Sequence, residues 1–172
     1  MGNIKYLFLC IFIFISCGKN APTVLEKRNP QQDKVTRTQL EGELSLIDLR
    51  IIDLSSINKK TVLFFVSESC TSCIEETKSL VRLFDQKGLP VNVDFYSVLI
   101  GSNLNDSQDW AKNFQVKWNI GYDENLVLYK TYFSILMTPS MIIFNPEEKR
   151  VSLIQGNHTI DQIQQETGQW EY

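Results

Sequence analysis

Two cysteines in the motif Cys70-Thr71-Ser72-Cys73 are the strongest candidates for chemistry in this sequence. They follow an apolar run, Val62 to Val66, that is typical of a buried strand, and the residues from Ile74 to Gln86 behind them have helical spacing. A Cys-x-x-Cys at a strand-to-helix turn puts one sulfur at the helix N-terminus and the other one turn later. This geometry favours reversible dithiol–disulfide chemistry.

Cys70 is the expected nucleophile of the pair. At the first turn of a helix, unpaired backbone N–H groups and the helix dipole stabilise a thiolate, which lowers the pKa of the thiol below the value of about 8.5 for a free cysteine. Cys73 is then expected to resolve the mixed disulfide that Cys70 forms with a substrate. Two other interpretations are a static structural disulfide and half of a zinc site, but structural zinc usually has four protein ligands, and beside this pair the folded part offers one histidine.

Three further side chains near the pair bear on its chemistry. A hydroxyl of Thr71 or Ser72 could bond to the thiolate and favour the reduced form, or both could be ordinary first-turn helix residues. Glu76 follows Cys73 by three residues and so lies on the same helix face. A partly buried carboxylate there could move the proton of Cys73, whereas the alternative is a solvated helix glutamate of the kind expected for Glu75.

Composition limits the function classes. The chain has 172 residues, of which 43% are hydrophobic, which suits one domain plus a targeting segment. Its net charge is −3 and it has no basic cluster, so the sequence gives no support for nucleic-acid binding. Of four cysteines, two belong to the motif and two to the N-terminal segment, which is unlike a small disulfide-stapled scaffold.

The N-terminus is predicted to be an export signal. Lys5 precedes an apolar run, Tyr6 to Ile15, which is too short to span a bilayer as a helix but typical of a signal peptide. The run ends in Ser16-Cys17-Gly18 and resembles a bacterial lipoprotein signal, although Phe14 stands where leucine is usual. The resemblance implies lipidation of Cys17; a plain secretory signal or an uncleaved anchor are the alternatives. All three export the chain to an oxidising compartment, where a dithiol needs an electron supply.

The predicted organisation is a signal peptide at 1–16, a flexible tether at 17–43 and a folded domain at 44–172. The order of the predicted elements is that of a layered α/β domain. They are a strand or hairpin over Leu44–Leu54, strands at Thr61–Val66 and Val91–Leu99, a helix at Ser107–Phe114 capped by Asp106, a helix at Glu124–Tyr132, a hairpin of Ser140–Phe144 with Val151–Gln155, and a final helix at Thr159–Thr167.

This order resembles the thioredoxin-like fold, a central mixed β-sheet flanked by helices. The stretch from Thr61 to Glu76 is similar to the active-site strand and helix of exported thioredoxin-like thiol–disulfide oxidoreductases (the TlpA/ResA-like group), and Met137-Thr138-Pro139 before an apolar strand is similar to the cis-proline loop of that fold. Ser69 departs from the pattern, because the resembling proteins generally carry tryptophan before the first cysteine.

The resemblance implies a membrane-tethered, extracytoplasmic enzyme that reduces protein disulfides, with apocytochrome c as one client. It implies catalytic roles for Cys70, Cys73 and Glu76, substrate binding by Thr138 and Pro139, and a membrane thiol-electron donor. The cysteine pair itself carries two electrons, so no dissociable cofactor and no metal are expected. The alternatives are a copper-binding chaperone of the same fold that uses His158, otherwise expected to be an exposed loop residue, and a redox-inert interaction domain.

Overall fold

The computed structural model describes residues 37–172; the predicted signal peptide, including Cys17, and most of the predicted tether lie outside the described residues. Seven strands, one 3-10 turn and four α-helices occur in this range. In chain order they are β1 (Glu43–Leu46), β2 (Ile51–Asp53), the 3-10 turn (Leu54–Ser56), β3 (Thr61–Val66), α1 (Thr71–Lys87), β4 (Asp94–Ile100), α2 (Leu104–Phe114), β5 (Asn119–Asp123), α3 (Val127–Tyr132), β6 (Ser140–Asn145), β7 (Arg150–Gln155) and α4 (Ile160–Thr167).

The strands form one mixed sheet in the order β2-β1-β5-β4-β3-β6-β7. β3 runs parallel to β4 and antiparallel to β6, with Val62 opposite Phe95 on one side and Ile143 on the other. All six residues of β3 are buried, as the unbroken apolar run predicts. Because β3 is hydrogen-bonded along both edges, the position of its last residue, from which the chain continues to Cys70, is fixed.

Alternate residues of the central strands point to opposite faces and form two cores. On one face the sheet packs against α1, α2 and α4, and this core contains Cys73 itself, together with Phe64, Leu80, Met141 and Ile163. On the other face the sheet packs against α3 and the segment before β1, with Leu40, Phe65 and Tyr129 among the buried residues. The predicted α/β class and thioredoxin-like layering are confirmed.

Strand β5 was not predicted. Its sequence, Asn119 to Asp123, has only two residues of high β-propensity, Ile120 and Tyr122, with Gly121 between them, so the strand signal is short and interrupted. A Cβ on Gly121 would lie 2.5 Å from the Leu44 side chain. The glycine is therefore needed for β1 to pack against β5, a tertiary requirement that the local sequence does not reveal.

Two helix starts also differ from the prediction. The cap of α2 is Asn103, whose side chain accepts the amide N–H of Asp106, so the predicted role of Asp106 as the cap is wrong. α3 begins at Val127 rather than at Glu124, because the carboxylate of Asp123 accepts the N–H groups of Val127 and Tyr129. The other predicted helices begin and end within three residues of their observed bounds.

The segment before β1 belongs to the folded domain. The carbonyl of Arg37 accepts the N–H of Val151 on β7, and Leu40 is buried in the second core. The domain thus includes residues 37–43, which the sequence analysis placed in the tether. Between residues 37 and 172 no helix is both long and apolar enough to cross a membrane.

Candidate active site

Cys70 lies at the N-cap of α1, where the chain turns away from the end of β3. Its amide donates a hydrogen bond to the carbonyl of Ser67, which closes the turn. Its sulfur accepts the amide N–H of Cys73 at 3.1 Å. The Cys70 sulfur therefore occupies the place that a side-chain oxygen takes at most helix N-termini, in direct contact with an otherwise unpaired backbone donor.

The two sulfurs form a disulfide, with the Cα atoms of Cys70 and Cys73 5.2 Å apart. Cys70 is half-buried and Cys73 is only 1% exposed, packed in the first core. An incoming disulfide can therefore reach Cys70 and not Cys73. This asymmetry agrees with the predicted division into a nucleophile and a resolving cysteine, whose roles remain predictions.

Ser72 supplies the second polar contact of the Cys70 sulfur. Its hydroxyl lies 3.4 Å from Cys70 Sγ, within the range of a hydrogen bond to sulfur. Thr71 is exposed and has no hydrogen bond to the Cys70 sulfur among the described residues. Of the two hydroxyls that the sequence offered as partners of the thiolate, the geometry thus favours Ser72.

The loop before β6 carries the predicted cis bond between Thr138 and Pro139. Pro139 is buried, and its carbonyl accepts the N–H of Gly156 at 2.9 Å. The Thr138 hydroxyl lies 3.5 Å from that of Ser67 on the turn that leads to Cys70. The loop and the cysteine pair are thereby held side by side.

An open groove of about 970 Å³ runs along this site. Cys70, Glu76, Thr138 and His158 all line it. Cys73 and Pro139 are buried behind this lining, Cys73 bonded to Cys70 and Pro139 adjacent to Thr138, so the predicted site residues within the described range lie together. The three apolar residues immediately before Thr138, from Ile135 to Met137, are exposed.

Glu76 and His158 meet inside the protein. His158 Nδ1 lies 3.4 Å from Glu76 Oε1, and the side chains are 3% and 7% exposed, respectively. The expectation of an exposed loop histidine was therefore wrong, and the solvated alternative for Glu76 is excluded. Glu75, by contrast, is exposed and pairs with Lys78, as expected of a surface glutamate.

Sequence reasoning missed two contacts around the site. The carboxylate of Glu68, two residues before Cys70, accepts the hydroxyl of Ser102 at 2.6 Å, which places its charge toward the end of β4. The pairing of His158 with Glu76 was also missed. Thr159 and Gln162 form a capping box that fixes the start of α4 directly after His158, but this pattern does not show which way the preceding ring points.

Within residues 37–172 no group of three or more His, Cys, Asp or Glu side chains is arranged to hold a metal ion. The histidine that raised the copper-chaperone alternative is instead in contact with Glu76.

A family model described as a thioredoxin-like domain matches residues 47–169. This chain belongs to the thioredoxin-like domain family. The match begins one residue after β1 and ends two residues after α4, so it includes the cysteine pair, the cis-proline loop and His158. No relative of similar sequence is found among curated proteins.

Solved structures of similar fold include one that is named a disulfide oxidoreductase. DsbF from Mycobacterium tuberculosis shares 18% identity with a TM-score of 0.64, over 77% of this chain and 96% of that one. A secreted M. tuberculosis disulfide oxidoreductase homologous to Escherichia coli DsbE shares 14% identity with a TM-score of 0.61, over 74% and 94%. StoA from Bacillus subtilis shares 21% identity with a TM-score of 0.60, over 73% and 95%. At these identities the similarity establishes the shared fold.

Proposed function

We propose that this chain is an extracytoplasmic thiol–disulfide oxidoreductase that reduces protein disulfides and is tethered to a membrane by a lipid on Cys17. The observation that carries the proposal is the asymmetry of the cysteine pair. Cys70 is accessible at the N-cap of α1 and its sulfur faces two donors, whereas Cys73 is 1% exposed. Family membership and the names of the similar structures support the same chemistry.

The proposed reaction begins with the reduced pair. The Cys70 thiolate attacks a substrate disulfide, one substrate sulfur leaves as a thiol after taking up a proton, and a mixed disulfide forms. Cys73 then loses its proton to Glu76 and attacks Cys70 Sγ, which releases the second substrate sulfur and leaves the Cys70–Cys73 disulfide. Two electrons pass from the pair to the substrate, and no dissociable cofactor takes part.

Substrate binding is assigned to the loop before β6. The backbone of Thr138, next to Pro139, pairs with an extended segment of the substrate along the groove. The exposed residues Ile135–Met137 contact apolar neighbours of the substrate cysteine. A protein substrate fits this surface better than a small polar thiol, since three adjacent apolar side chains are open to it.

The compartment follows from the N-terminal segment. A lipoprotein signal exports the chain and holds it at the membrane, where a membrane thiol-electron donor reduces the pair again after each turnover. Apocytochrome c, which must have reduced cysteines before haem attachment, is one client of this kind. The names of the similar structures include a secreted oxidoreductase, which supports the extracytoplasmic location.

The reduction potential of the Cys70–Cys73 pair tests the direction of the reaction. We expect a value close to the roughly −270 mV of thioredoxin; a value near the about −120 mV of strongly oxidising proteins would replace reduction by disulfide formation. Turnover of a protein disulfide must be abolished by Cys70→Ser, and Cys73→Ser must accumulate the mixed disulfide. If Cys70→Ser keeps the parent's turnover, the proposed function is wrong.

A further inference from the structure

A buried acid–base pair joins α1 to the loop between β7 and α4, beside the cysteine pair. His158 is the only histidine of the chain, and its ring lies against Glu76, with 3.4 Å between Nδ1 and Oε1. Both side chains are more than nine-tenths buried, yet both contribute to the wall of the groove that Cys70 opens into. Glu76 is one helical turn from Cys73 on the same face of α1.

Among the described residues 37–172, three polar atoms of this pair have no hydrogen-bond partner: Oε1 of Glu76 and both ring nitrogens of His158. Buried polar atoms are normally paired, because an unpaired one loses its bonds to water without replacement. Oε1 and Nδ1 lie at ion-pair distance, and a single proton on the pair gives it zero net charge whichever side chain carries it. The arrangement is therefore suited to hold one exchangeable proton.

We propose that His158 is a positioning residue for proton transfer at Cys73. It takes the shared proton, so that Glu76 stays ionised and can accept the proton that Cys73 loses. Without the ring, an ionised Glu76 would be a buried charge with no counter-charge beside it, which costs free energy, and a protonated carboxyl cannot act as a base. The inference rests on the proposed function, in which Glu76 is the proton partner of Cys73.

The step concerned is the resolution of the mixed disulfide. Cys73 Sγ gives its proton to Glu76 and attacks Cys70 Sγ; the Cys70–Cys73 bond forms and the bond from Cys70 to the substrate sulfur breaks. The substrate sulfur leaves with that bond's electron pair and takes up a proton from water in the groove. The Glu76–His158 pair then returns its extra proton to the groove, which both residues line.

The remaining charged groups around the pair differ in exposure. Glu75 on α1 also lines the groove, but it is exposed and bonded to Lys78. Asp161 in the first turn of α4 is exposed to water as well. The groove residues contributed by the β3–α1 turn and the cis-proline loop are Ser67, Ser69, Cys70 and Thr138, which carry no fixed charge. Beside the cysteines, the buried titratable groups at this site are thus Glu76 and His158.

Two-phase reaction of the reduced protein with an aromatic disulfide such as Ellman's reagent tests the proposal. The fast phase reports attack by Cys70 and the second phase reports resolution by Cys73. In His158→Gln we expect the pH midpoint of the second phase to rise by about one unit, equivalent to an about tenfold slower resolution below both midpoints, with the first phase unchanged. Asn157→Ala, which alters the neighbouring groove residue, serves as the control and keeps both profiles.

A double variant that combines Glu76→Gln with His158→Gln separates a role of His158 in proton transfer from a role in packing. If His158 acts through Glu76, the pH profile of Glu76→Gln does not change further when His158→Gln is added. An additional shift in the double variant would overturn the proposal. If His158→Gln keeps the parent profile while Glu76→Gln shifts it, the inference about His158 fails and the proposed function stands.

Discussion

The phenol oxygen of Tyr129 lies 2.9 Å from both the amide nitrogen and the carbonyl oxygen of Met137. One buried side chain of α3 therefore holds the segment that leads into the cis-proline loop. The same oxygen is 3.0 Å from the carbonyl of Ile135. The backbone of the exposed apolar residues before Thr138 is therefore hydrogen-bonded to a side chain of the core. The position of the proposed substrate-binding loop thus depends on a contact across the second core.

Tyr129→Phe is expected to slow the reduction of protein disulfides while leaving the alkylation rate of Cys70 unchanged. The variant keeps the ring in the core but releases Met137, so the loop is less well positioned for the substrate backbone. The loss of such hydrogen bonds costs about 1 kcal/mol of stability. Steady-state turnover with a protein disulfide, measured beside iodoacetamide alkylation, separates the two effects.

Tyr132→Phe is the matched control. The Tyr132 hydroxyl also bonds to backbone, accepting the N–H and donating to the carbonyl of Glu41 in the segment before β1. The control therefore loses two hydrogen bonds to the backbone of one residue, as Tyr129→Phe loses two to Met137, without touching the loop. Equal losses of turnover in Tyr129→Phe and Tyr132→Phe would contradict the assigned role of Tyr129.

Ser72→Ala is expected to make Cys70 less reactive near neutral pH. The hydroxyl at 3.4 Å is one of two donors at the Cys70 sulfur, and a hydrogen bond to a thiolate favours the charged form. We expect the pH midpoint of Cys70 alkylation to rise by about half a unit, since the contact is long and partly open to water. Thr71→Ala, at an exposed position of the same turn, should leave the midpoint in place; a shift of similar size there would show a general effect of the turn.

The sequence predicts the positions of the cysteine pair and of the cis-proline loop because their determinants are local. An apolar run predicts β3, helical spacing predicts α1, and the cysteines lie at the turn from β3 into α1. The loop at Thr138-Pro139 is likewise marked by a proline before an apolar strand. Each of these patterns is complete within a few consecutive residues, so no tertiary information is needed to recognise it.

The features that the sequence did not reveal depend on distant partners. Strand β5 has a short apolar pattern interrupted by Gly121, and the close approach of Leu44 on β1 that requires this glycine is visible only in the fold. His158 is buried because the loop before α4 folds toward Glu76 on α1. A lone histidine after a Gly-Asn turn is usually a surface residue, and only the contact of this loop with α1 reverses that expectation.

Stability is expected to decline as the pH rises above about 10, the ordinary pKa of tyrosine. Burial raises the pKa of Tyr132, and burial likewise raises the pKa of Tyr96. Above pH 10 the unfolded chain therefore loses protons that the folded chain retains, so unfolding becomes more favourable with each increment of pH. Chemical denaturation at a series of pH values measures the slope directly.

Tyr132→Phe removes one of these two phenols, so its stability should fall less steeply over the same alkaline range, even though its stability at neutral pH is lower. The quantity to compare is how steeply the free energy of unfolding falls with pH, and not its value at any one pH. If the parent and Tyr132→Phe lose stability at the same rate above pH 10, the ionisation of Tyr132 is not coupled to unfolding.

Lipidation of Cys17 is the remaining prediction from the N-terminal segment. In bacterial cells that process lipoproteins, the parent chain is expected to incorporate labelled palmitate and to sediment with membranes. Cys17→Ala removes the acceptor sulfur, so the variant should carry no label. Cys10→Ala is the matched control, because it removes a cysteine from the apolar run and leaves the Ser16-Cys17-Gly18 junction intact. Label in Cys17→Ala equal to that of the parent would show that this cysteine is not the attachment site, whereas loss of label in both variants would mean that export itself had failed.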